Sequence, residues 1–438
     1  MTEGRQLIMT SVRWRRFHEV YLGSEQYPAY DQSESPSPLV RRSHHKENRV
    51  KVTEVKVLSA DVFNYVKVET DEGIHGIGEL HPASGTSGTP FPSIGGVHYC
   101  AEYLVGKDPH HIEHHWQHMF RRCLFRGGSD VMAAIGAIDI ALWDIKGKAY
   151  GQPVYELLGG PTREKVRLYT HVGGATPQEL VADAEAVVAE GFTAVRAYPF
   201  GDFYNLAPEQ GRALDTMSFG AMQHEAVERI GALRDAVGPD IDVMIDVGNR
   251  LTPAEAIGVG RVLEPFNLYF YEDPIEPENL DQLEYVAANV PMPVAVGERL
   301  FTIYQFLDVM KNRGVAFVRP DLSLAGGITN IKKIAAIAEA NYVGVSPHNP
   351  LSCVQTAACV QLDAATHNIA VQEWPRDDDS GVKADLVDEP MKREGGYLLL
   401  PDRPGIGIDL NEEAFSDYPP RPRERPALIN ADGSLRDY

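Results

Sequence analysis

The amino-acid sequence predicts an α/β fold whose centre is a TIM-type barrel of parallel strands. Short apolar runs rich in β-branched residues recur through the middle of the chain, and each run ends at a polar residue. Segments with the apolar spacing of a helix lie between most of these runs, for example PQELVADAEAVVAEG and ITNIKKIAAIAEAN. Strands and helices that alternate with one period indicate a parallel sheet, and eight such strands indicate closure into a barrel.

The predicted strands follow one another at intervals of about 25 residues. The runs end at His171, Arg196, Asp246, Glu272, Glu298, Asp321, His348 and Glu373. The single doubled interval, after the second run, contains the polar stretch 199–221. We interpret this stretch as a loop inserted between a strand and its helix, at the end of the barrel where it would cover an active site.

The residue that ends each predicted strand is ionisable. In TIM-type barrels the C-terminal ends of the strands face the active-site mouth. A barrel with only a structural role has no use for eight ionisable groups around one rim. The pattern therefore predicts an enzyme whose catalytic groups come from the ends of several different strands.

Three consecutive predicted strands end in carboxylates, at Asp246, Glu272 and Glu298. Adjacent strands lie about 5 Å apart, so these side chains can converge, and they would repel one another without a cation. Oxygen ligands of this kind suit Mg²⁺. The alternative is that each carboxylate pairs with an arginine, such as Arg250 or Arg299.

The next three strand ends supply candidates for proton transfer. Asp321 precedes His348 by one strand, and a carboxylate beside a histidine fixes its tautomer and stabilises its protonated form, as a general base requires. Glu373 ends the last strand. If its surroundings hold it protonated, it can donate a hydrogen bond to a substrate carboxylate.

Composition excludes several classes of function. The chain has 438 residues and a net charge of −21, which argues against nucleic acids and anionic membranes as partners. It contains no run of about 18 apolar residues and no apolar stretch of a secretory signal near its N-terminus. Its four cysteines form no CxxC pair, which favours reduced thiols and a cytoplasmic protein.

Several stretches together resemble the mandelate racemase and muconate lactonizing enzyme branch of the enolase superfamily. They are VMIDVGNRL, YFYEDP, AVGERL, AIGAIDIALWDIKGKAYGQPVYELLGG, ETDEGIHGIGE and GYLLLPDRPGIGIDL. The resemblance implies a (β/α)₇β barrel with an α+β capping domain formed by N-terminal and C-terminal segments. It divides the chain into an N-terminal extension (1–50), a capping domain (51–165, with 376–438 returning to it) and a barrel domain (166–375).

Within that branch, FVRPDLSLAGGITNIKKIAAIAEA and VSPHNPL are similar to galactonate-type acid-sugar dehydratases, whereas NRLTP and the arginine at 196 are similar to the mannonate group. The resemblance implies that Asp246, Glu272 and Glu298 hold one Mg²⁺ per subunit. It makes His348 and Asp321 the base dyad and places Glu373 against the substrate carboxylate. It also implies a small carboxylate substrate and a homo-oligomer, either a dimer or an octamer.

The chain departs from the pattern of the branch at two places. Arg196-Ala197-Tyr198 stands where racemases carry Lys-x-Lys, and Gly248 stands where galactonate- and mannonate-type dehydratases carry a histidine that acts as general acid. Either His348 is base and then acid, or Tyr198, Tyr204 or another loop residue donates the proton. The predicted catalytic and substrate-binding residues beyond the dyad are Arg196, Tyr198, Glu373, Asn249, Arg319 and Tyr204.

The predicted activity is Mg²⁺-dependent removal of the proton α to a carboxylate, followed by dehydration of an aldonic or aldaric acid to a 2-keto-3-deoxy acid. The alternatives are epimerisation or lactone cycloisomerisation through the same enediolate, and metal-dependent binding without turnover. The histidine-rich stretch DPHHIEHHWQHMF is interpreted as a solvated helix face, with zinc binding as its alternative.

Overall fold

The computed structural model describes residues 50–83, 90–126, 128–201, 217–311, 314–422 and 433–434. The predicted N-terminal extension therefore lies outside the described residues apart from its last position. The same is true of residues 202–216, which make up most of the predicted insertion and include Tyr204.

The N-terminal part of the described chain is an antiparallel sheet covered by helices. The strands β1 (Val52–Ala60), β2 (Phe63–Thr70) and β3 (His75–Glu79) pair in sequence order. The helices are α1 (Phe91–Leu104), α2 (Ile112–Arg122), α3 (Ser129–Tyr150) and α4 (Val154–Leu157). Gly76 and Gly78 of β3 lie directly against the backbone of α3, where a Cβ atom would come within 2.1 Å of a carbonyl oxygen. The strand can approach the helix this closely only because both positions lack a side chain.

The barrel strands lie where the sequence predicts them, so all eight predicted strands are confirmed. They are β4 (Lys165–Val172), β5 (Ala194–Ala197), β6 (Asp242–Asp246), β7 (Phe270–Glu272), β8 (Val294–Val296), β9 (Val315–Val318), β10 (Gly344–Val345) and β11 (Gln372–Trp374). Strands β4 to β10 pair in parallel in chain order, and β11 pairs in parallel with β4. A bridge between Val345 and Ile369 spans the remaining gap between β10 and β11. This order is that of a TIM-type barrel.

Seven helices alternate with these strands in the part of the chain that the structure describes. They are α5 (Pro177–Ala189), α6 (Phe219–Val237), α7 (Pro253–Val262), α8 (Leu280–Asn289), α9 (Ile303–Met310), α10 (Gly327–Ala340) and α11 (Cys353–Ala364). Thr176, Thr252 and Thr302 each form a capping box with the residue three positions later. Each box satisfies backbone donors that the first helical turn leaves without a partner. None of the described helices is long and apolar enough to cross a membrane.

The chain after β11 returns first to the barrel and then to the antiparallel sheet. It forms α12 (Gly381–Asp385) and the hairpin of β12 (Arg393–Glu394) and β13 (Tyr397–Leu399), and β13 pairs antiparallel with β4. Beyond the hairpin, a 3₁₀ helix at Glu412–Asp417 contacts β1, and Lys67 of β2 forms an ion pair with Glu412 at 2.5 Å. This return produces the α+β capping domain built from both ends of the chain. The exact domain boundaries stay predictions.

Two buried carboxylates of the capping domain contact the first turns of barrel helices. Asp139 of α3 accepts a hydrogen bond from the backbone N–H of Thr329 in α10, at 2.9 Å. Glu79 of β3 accepts hydrogen bonds from Ser352 and Gln355, whose N–H groups lie at the start of α11. A carboxylate at a helix N-terminus satisfies free N–H donors and interacts favourably with the helix dipole. These contacts fix the capping domain on the barrel end that carries the ionisable rim.

Replacing Asp144 by alanine is expected to lower the free energy of unfolding by about 1–3 kcal/mol. This buried carboxylate joins three segments, because it accepts hydrogen bonds from the N–H groups of Ile77 in β3 and Ile406 in the returning chain and pairs with Lys148 of α3. Urea unfolding of the variant beside the wild-type protein measures the change. Glu72→Ala, at an exposed position, is the matched control, and equal stability of the two variants would contradict the prediction.

Candidate active site

The strand ends surround a cavity of about 1100 Å³ at the end of the barrel that faces the capping domain. Five of the predicted site residues line it, namely Arg196, Asp246, Glu298, His348 and Glu373. Three others, Glu272, Asp321 and Arg319, are fully buried and hold the lining residues by hydrogen bonds and ion pairs. The predicted rim of ionisable groups is therefore brought together around one space.

The acidic side of the cavity contains a cluster of carboxylates suited to a metal ion. Oxygen atoms of Glu272, Asp273 and Glu298 all lie within 4.8 Å of one another. Asp246 pairs with Glu272 in the register of β6 and β7, so it lies on the neighbouring strand, although it is not part of this closest group. Its Oδ1 atom accepts a hydrogen bond from the N–H of Gly248 at 2.7 Å.

Asp273 is a member of the cluster that the sequence analysis missed. The side chain after Glu272 would point away from the cavity if the strand continued, but Asp273 has a φ of 43°, which breaks the alternation. Asn249 holds it by two hydrogen bonds, one to its carbonyl oxygen and one to its carboxylate. Burial and the charges of Glu298 and Glu272 raise the pKa of Asp273 well above its ordinary value.

Two arginines, Arg196 and Arg319, contact the carboxylates. Of the arginines considered from the sequence, Arg299 binds Glu276 at 2.6 Å. The carboxylate of Glu272 forms ion pairs with Arg196 Nη1 at 2.8 Å and with Arg319 Nε at 2.6 Å. Even so, burial raises the pKa of Glu272 to about 7 against the opposing effect of both arginines.

The three carboxylates within 4.8 Å of one another place negative charge in excess at this point, and after burial the charges of Glu298 and Glu272 are the largest causes of the raised pKa of Asp273. A divalent cation would remove that excess, and a set of carboxylate oxygens is the donor set that Mg²⁺ prefers. The residues present therefore fit a magnesium ion. The chain has the capacity for a metal site at the place where the sequence predicts one.

His348 and Asp321 form the predicted pair on the other side of the cluster. The Nδ1 atom of His348 lies 2.9 Å from Asp321 Oδ2, and its Nε2 atom lies 3.4 Å from Glu298 Oε2. Burial opposes protonation of this ring, but Glu298, Asp321 and Glu373 outweigh it and raise the pKa of His348 to about 9. Burial also opposes ionisation of Asp321, yet His81 and His348 hold the pKa of that carboxyl below its ordinary value.

Glu373 differs from the expectation that it is held protonated. It accepts hydrogen bonds from His171 Nε2 at 2.6 Å, Arg319 Nη2 at 2.8 Å and the N–H of Asn349 at 3.0 Å. Burial opposes its ionisation, but Arg196, Arg319 and the hydrogen bond from His171 outweigh burial and hold the pKa of Glu373 well below its ordinary value. It is therefore a hydrogen-bond acceptor in these three contacts, and its role toward the substrate carboxylate stays a prediction.

The remaining predicted residues lie at different depths. Asn249 is buried against Asp273, and Arg319 is fully buried beneath the cavity between Glu272 and Glu373. Tyr198 is 8% exposed and packs edge to face on Phe200, and it is not among the described residues that line the cavity. Tyr204 lies outside the described residues. The catalytic or substrate-binding roles of these residues stay predictions.

The histidine-rich stretch around α2 is only partly a solvated face. His111, His114 and His118 are exposed, whereas His115 is buried. The Nδ1 atom of His115 lies 3.0 Å from the hydroxyl of Tyr103, and its Nε2 atom lies 2.7 Å from the carbonyl oxygen of Asp108. Both ring nitrogens of His115 are therefore committed within the protein, which argues against a zinc site that uses this residue.

Sequence comparison identifies two family domains along the chain. Residues 40–159 match the mandelate racemase/muconate lactonizing enzyme N-terminal domain, and residues 179–414 match the enolase C-terminal domain-like family. A D-galactonate dehydratase from Xanthomonas campestris pv. campestris (strain B100) is 39% identical over 383 residues, which cover 85% of this chain and 96% of the relative. A D-galactonate dehydratase from Ralstonia pickettii (strain 12J) is 37% identical over 385 residues, with the same coverage.

Solved structures of the same superfamily have the same fold. An enolase from Agrobacterium radiobacter, crystallised with sodium and L-malate, superimposes with a TM-score of 0.80 at 28% identity and covers 88% of this chain and 99% of its own. A member of the enolase superfamily from Salmonella Typhimurium gives 0.78 at 29% identity and covers 84% and 98%. The chain thus belongs to the mandelate racemase/muconate lactonizing enzyme family of the enolase superfamily, among its acid-sugar dehydratases.

Proposed function

We propose that this enzyme removes the proton α to the carboxylate of an aldonic or aldaric acid and expels the neighbouring hydroxyl, giving a 2-keto-3-deoxy acid. The observation that carries the proposal is the position of His348, paired with Asp321 on one ring nitrogen and beside Glu298 of the carboxylate cluster on the other. The similarity to D-galactonate dehydratases supports dehydration as the outcome and an aldonate as the first substrate to test.

Asp246, Glu272 and Glu298 are the residues proposed to hold one Mg²⁺, with Asp273 as a further carboxylate of the same cluster. A bound Mg²⁺ supplies positive charge that stabilises the enediolate as it forms. Asn249 contributes indirectly, because its hydrogen bonds hold Asp273 in the conformation that points its carboxylate into the cluster.

His348 is proposed to take the α-proton on Nε2. Glu298 is the largest of the charges that raise the pKa of His348, so neutralisation of the carboxylate cluster by a bound cation would favour the neutral ring. In the neutral ring Nδ1–H donates to Asp321 Oδ2, and Nε2, on the side of the carboxylate cluster, is the atom that accepts a proton. Asp321 cannot turn away, because its Oδ1 atom accepts a hydrogen bond from the N–H of Leu324 at 2.8 Å. The ring is thus oriented by a buried and hydrogen-bonded partner, as general-base catalysis requires.

Arg196 is proposed to attract the substrate carboxylate. It lines the cavity, and its two terminal nitrogens lie between Asp246, Glu272 and Glu373 at 2.8–3.4 Å. A guanidinium in this position offsets the repulsion that the net charge of −21 would otherwise exert on an acid sugar. The rigid, planar group also keeps its charge at any physiological pH.

The proposal is tested by screening the full-length protein with Mg²⁺ against a library of aldonic and aldaric acids, with 2-keto acids detected as semicarbazones. We expect keto-acid formation from at least one compound. EDTA treatment should abolish it and added Mg²⁺ should restore it, whereas the EDTA-treated protein without added metal is the control. Exchange of the α-proton in D₂O without any keto acid would instead indicate epimerisation and contradict the proposed dehydration.

A further inference from the structure

We propose that His171, oriented by Glu373, is the general acid that protonates the departing hydroxyl, which makes it a second catalytic histidine in the cavity. This inference rests on the proposed dehydration. Neither the sequence pattern of the strand ends nor the resemblance to the family assigned a role to this residue.

The first observation is the geometry of a second imidazole–carboxylate pair. His171 of β4 lies beside Arg196 in the register of β4 and β5, and its Nε2 atom is 2.6 Å from Glu373 Oε1. Its side chain is 25% exposed, whereas that of Glu373 is 1% exposed. The ring therefore borders the cavity beside a buried carboxylate, as His348 does beside Asp321, although His171 uses Nε2 for this contact and His348 uses Nδ1.

The second observation is that the cavity offers few groups able to donate a proton. Gly248 lines the cavity where related dehydratases carry a histidine, and it brings no side chain. Among the described lining residues, His171 and His348 are the two histidines. Because His348 is already the proposed base, a separate general acid has to be a second residue, and His171 is the second histidine of the described lining.

Glu373 has the properties needed to support an imidazolium ion. It is ionised, and Arg319 and Asn349 hold it in place from the side opposite His171. Burial and the charge of Arg196 lower the pKa of His171, and Glu373 opposes them. A substrate carboxylate bound at Arg196 would cancel part of that unfavourable charge, so protonation of His171 accompanies binding of the anionic substrate.

The step balances without any further reactant. The enediolate contributes an electron pair to a new C2=C3 double bond, and the C3–O bond breaks with its electron pair on oxygen. Nδ1 of His171, the ring nitrogen that does not face Glu373, gives its proton to that oxygen, and water leaves. The remaining enol becomes the 2-keto-3-deoxy acid, and His171 takes a new proton from solvent.

The test compares two steps in His171→Asn, using the acid sugar that the wild-type protein dehydrates fastest. We expect keto-acid formation to fall at least about 100-fold, because a positioned general acid contributes 10²–10⁴-fold, while exchange of the α-proton in D₂O changes less than about fivefold. A 3-deoxy-3-fluoro analogue provides the decisive comparison. Fluoride leaves without a proton, so fluoride release by His171→Asn should stay near the wild-type rate.

Three controls separate catalysis from structure. His98→Asn, on the exposed side of α1, should leave both steps unchanged, and His171→Gln should repeat the result with a different side-chain volume. Thermal unfolding shows whether each variant is folded. Equal loss of exchange, dehydration and fluoride release in a folded variant would overturn the inference, and so would dehydration at the wild-type rate. Failure of the wild-type protein to dehydrate any acid sugar would instead disprove the proposed function.

Discussion

His348→Asn is expected to lower both α-proton exchange and keto-acid formation by about 10²–10⁴-fold, the contribution of a positioned general base. Asparagine keeps a polar side chain of similar size that can still meet Asp321, but it cannot accept the proton. The effect should therefore fall on the first chemical step. Exchange measured by NMR in D₂O and keto-acid formation measured as semicarbazone should decline together.

The fluoro analogue distinguishes this variant from His171→Asn. Loss of fluoride still requires the enediolate, so His348→Asn should release fluoride as slowly as it forms keto acid. His98→Asn again serves as the control for an exposed histidine. Normal exchange in a folded His348→Asn protein would contradict the assignment of the base and would direct attention to another lining residue.

The fold could be predicted from the sequence because its strongest signal is repetitive. Eight apolar runs at one period indicate the barrel, and the segments between most of them have the apolar spacing of helices. The same period predicts that the ionisable residues lie at one end of the barrel, because the C-terminal ends of all parallel barrel strands lie at that end. No such repetition exists in 202–216, and the sequence indicates only that an insertion occurs.

The finer features of the site depend on conformations that the strand pattern does not encode. Alternation along β7 would turn Asp273 away from the cavity, and a left-handed φ of 43° reverses that expectation. The ionisation of Glu373 depends on Arg196 and on Arg319, and Arg319 lies 54 residues earlier in the chain. His171 was recognised as one of the rim residues, and barrel closure places its strand beside that of Glu373, but the strand pattern does not show that the two side chains form a hydrogen bond.

Arg319→Leu is expected to lower the free energy of unfolding by about 3–5 kcal/mol, the usual cost of removing one partner from a buried ion pair. Arg319 is fully buried and binds Glu272, Glu373 and the hydroxyl of Tyr169. Leucine fills part of the space but leaves two buried carboxylates short of a counter-charge. Urea unfolding measures the loss, and Arg261→Leu, at an exposed position of α7, is the matched control.

A double-mutant cycle measures the interaction free energy of Arg319 and Glu373 apart from the general cost of altering the barrel interior. Glu373→Gln removes the charge that Arg319 neutralises, so the double variant should be less destabilised than the sum of the two single variants. Additive losses, or a change of less than about 1 kcal/mol in Arg319→Leu, would contradict a buried ionic network. Because Arg319 contacts both Glu373, which orients His171, and Glu272 of the carboxylate cluster, Arg319→Leu should slow both dehydration and α-proton exchange. The arginine would then connect the stability of the barrel interior to both steps of the reaction.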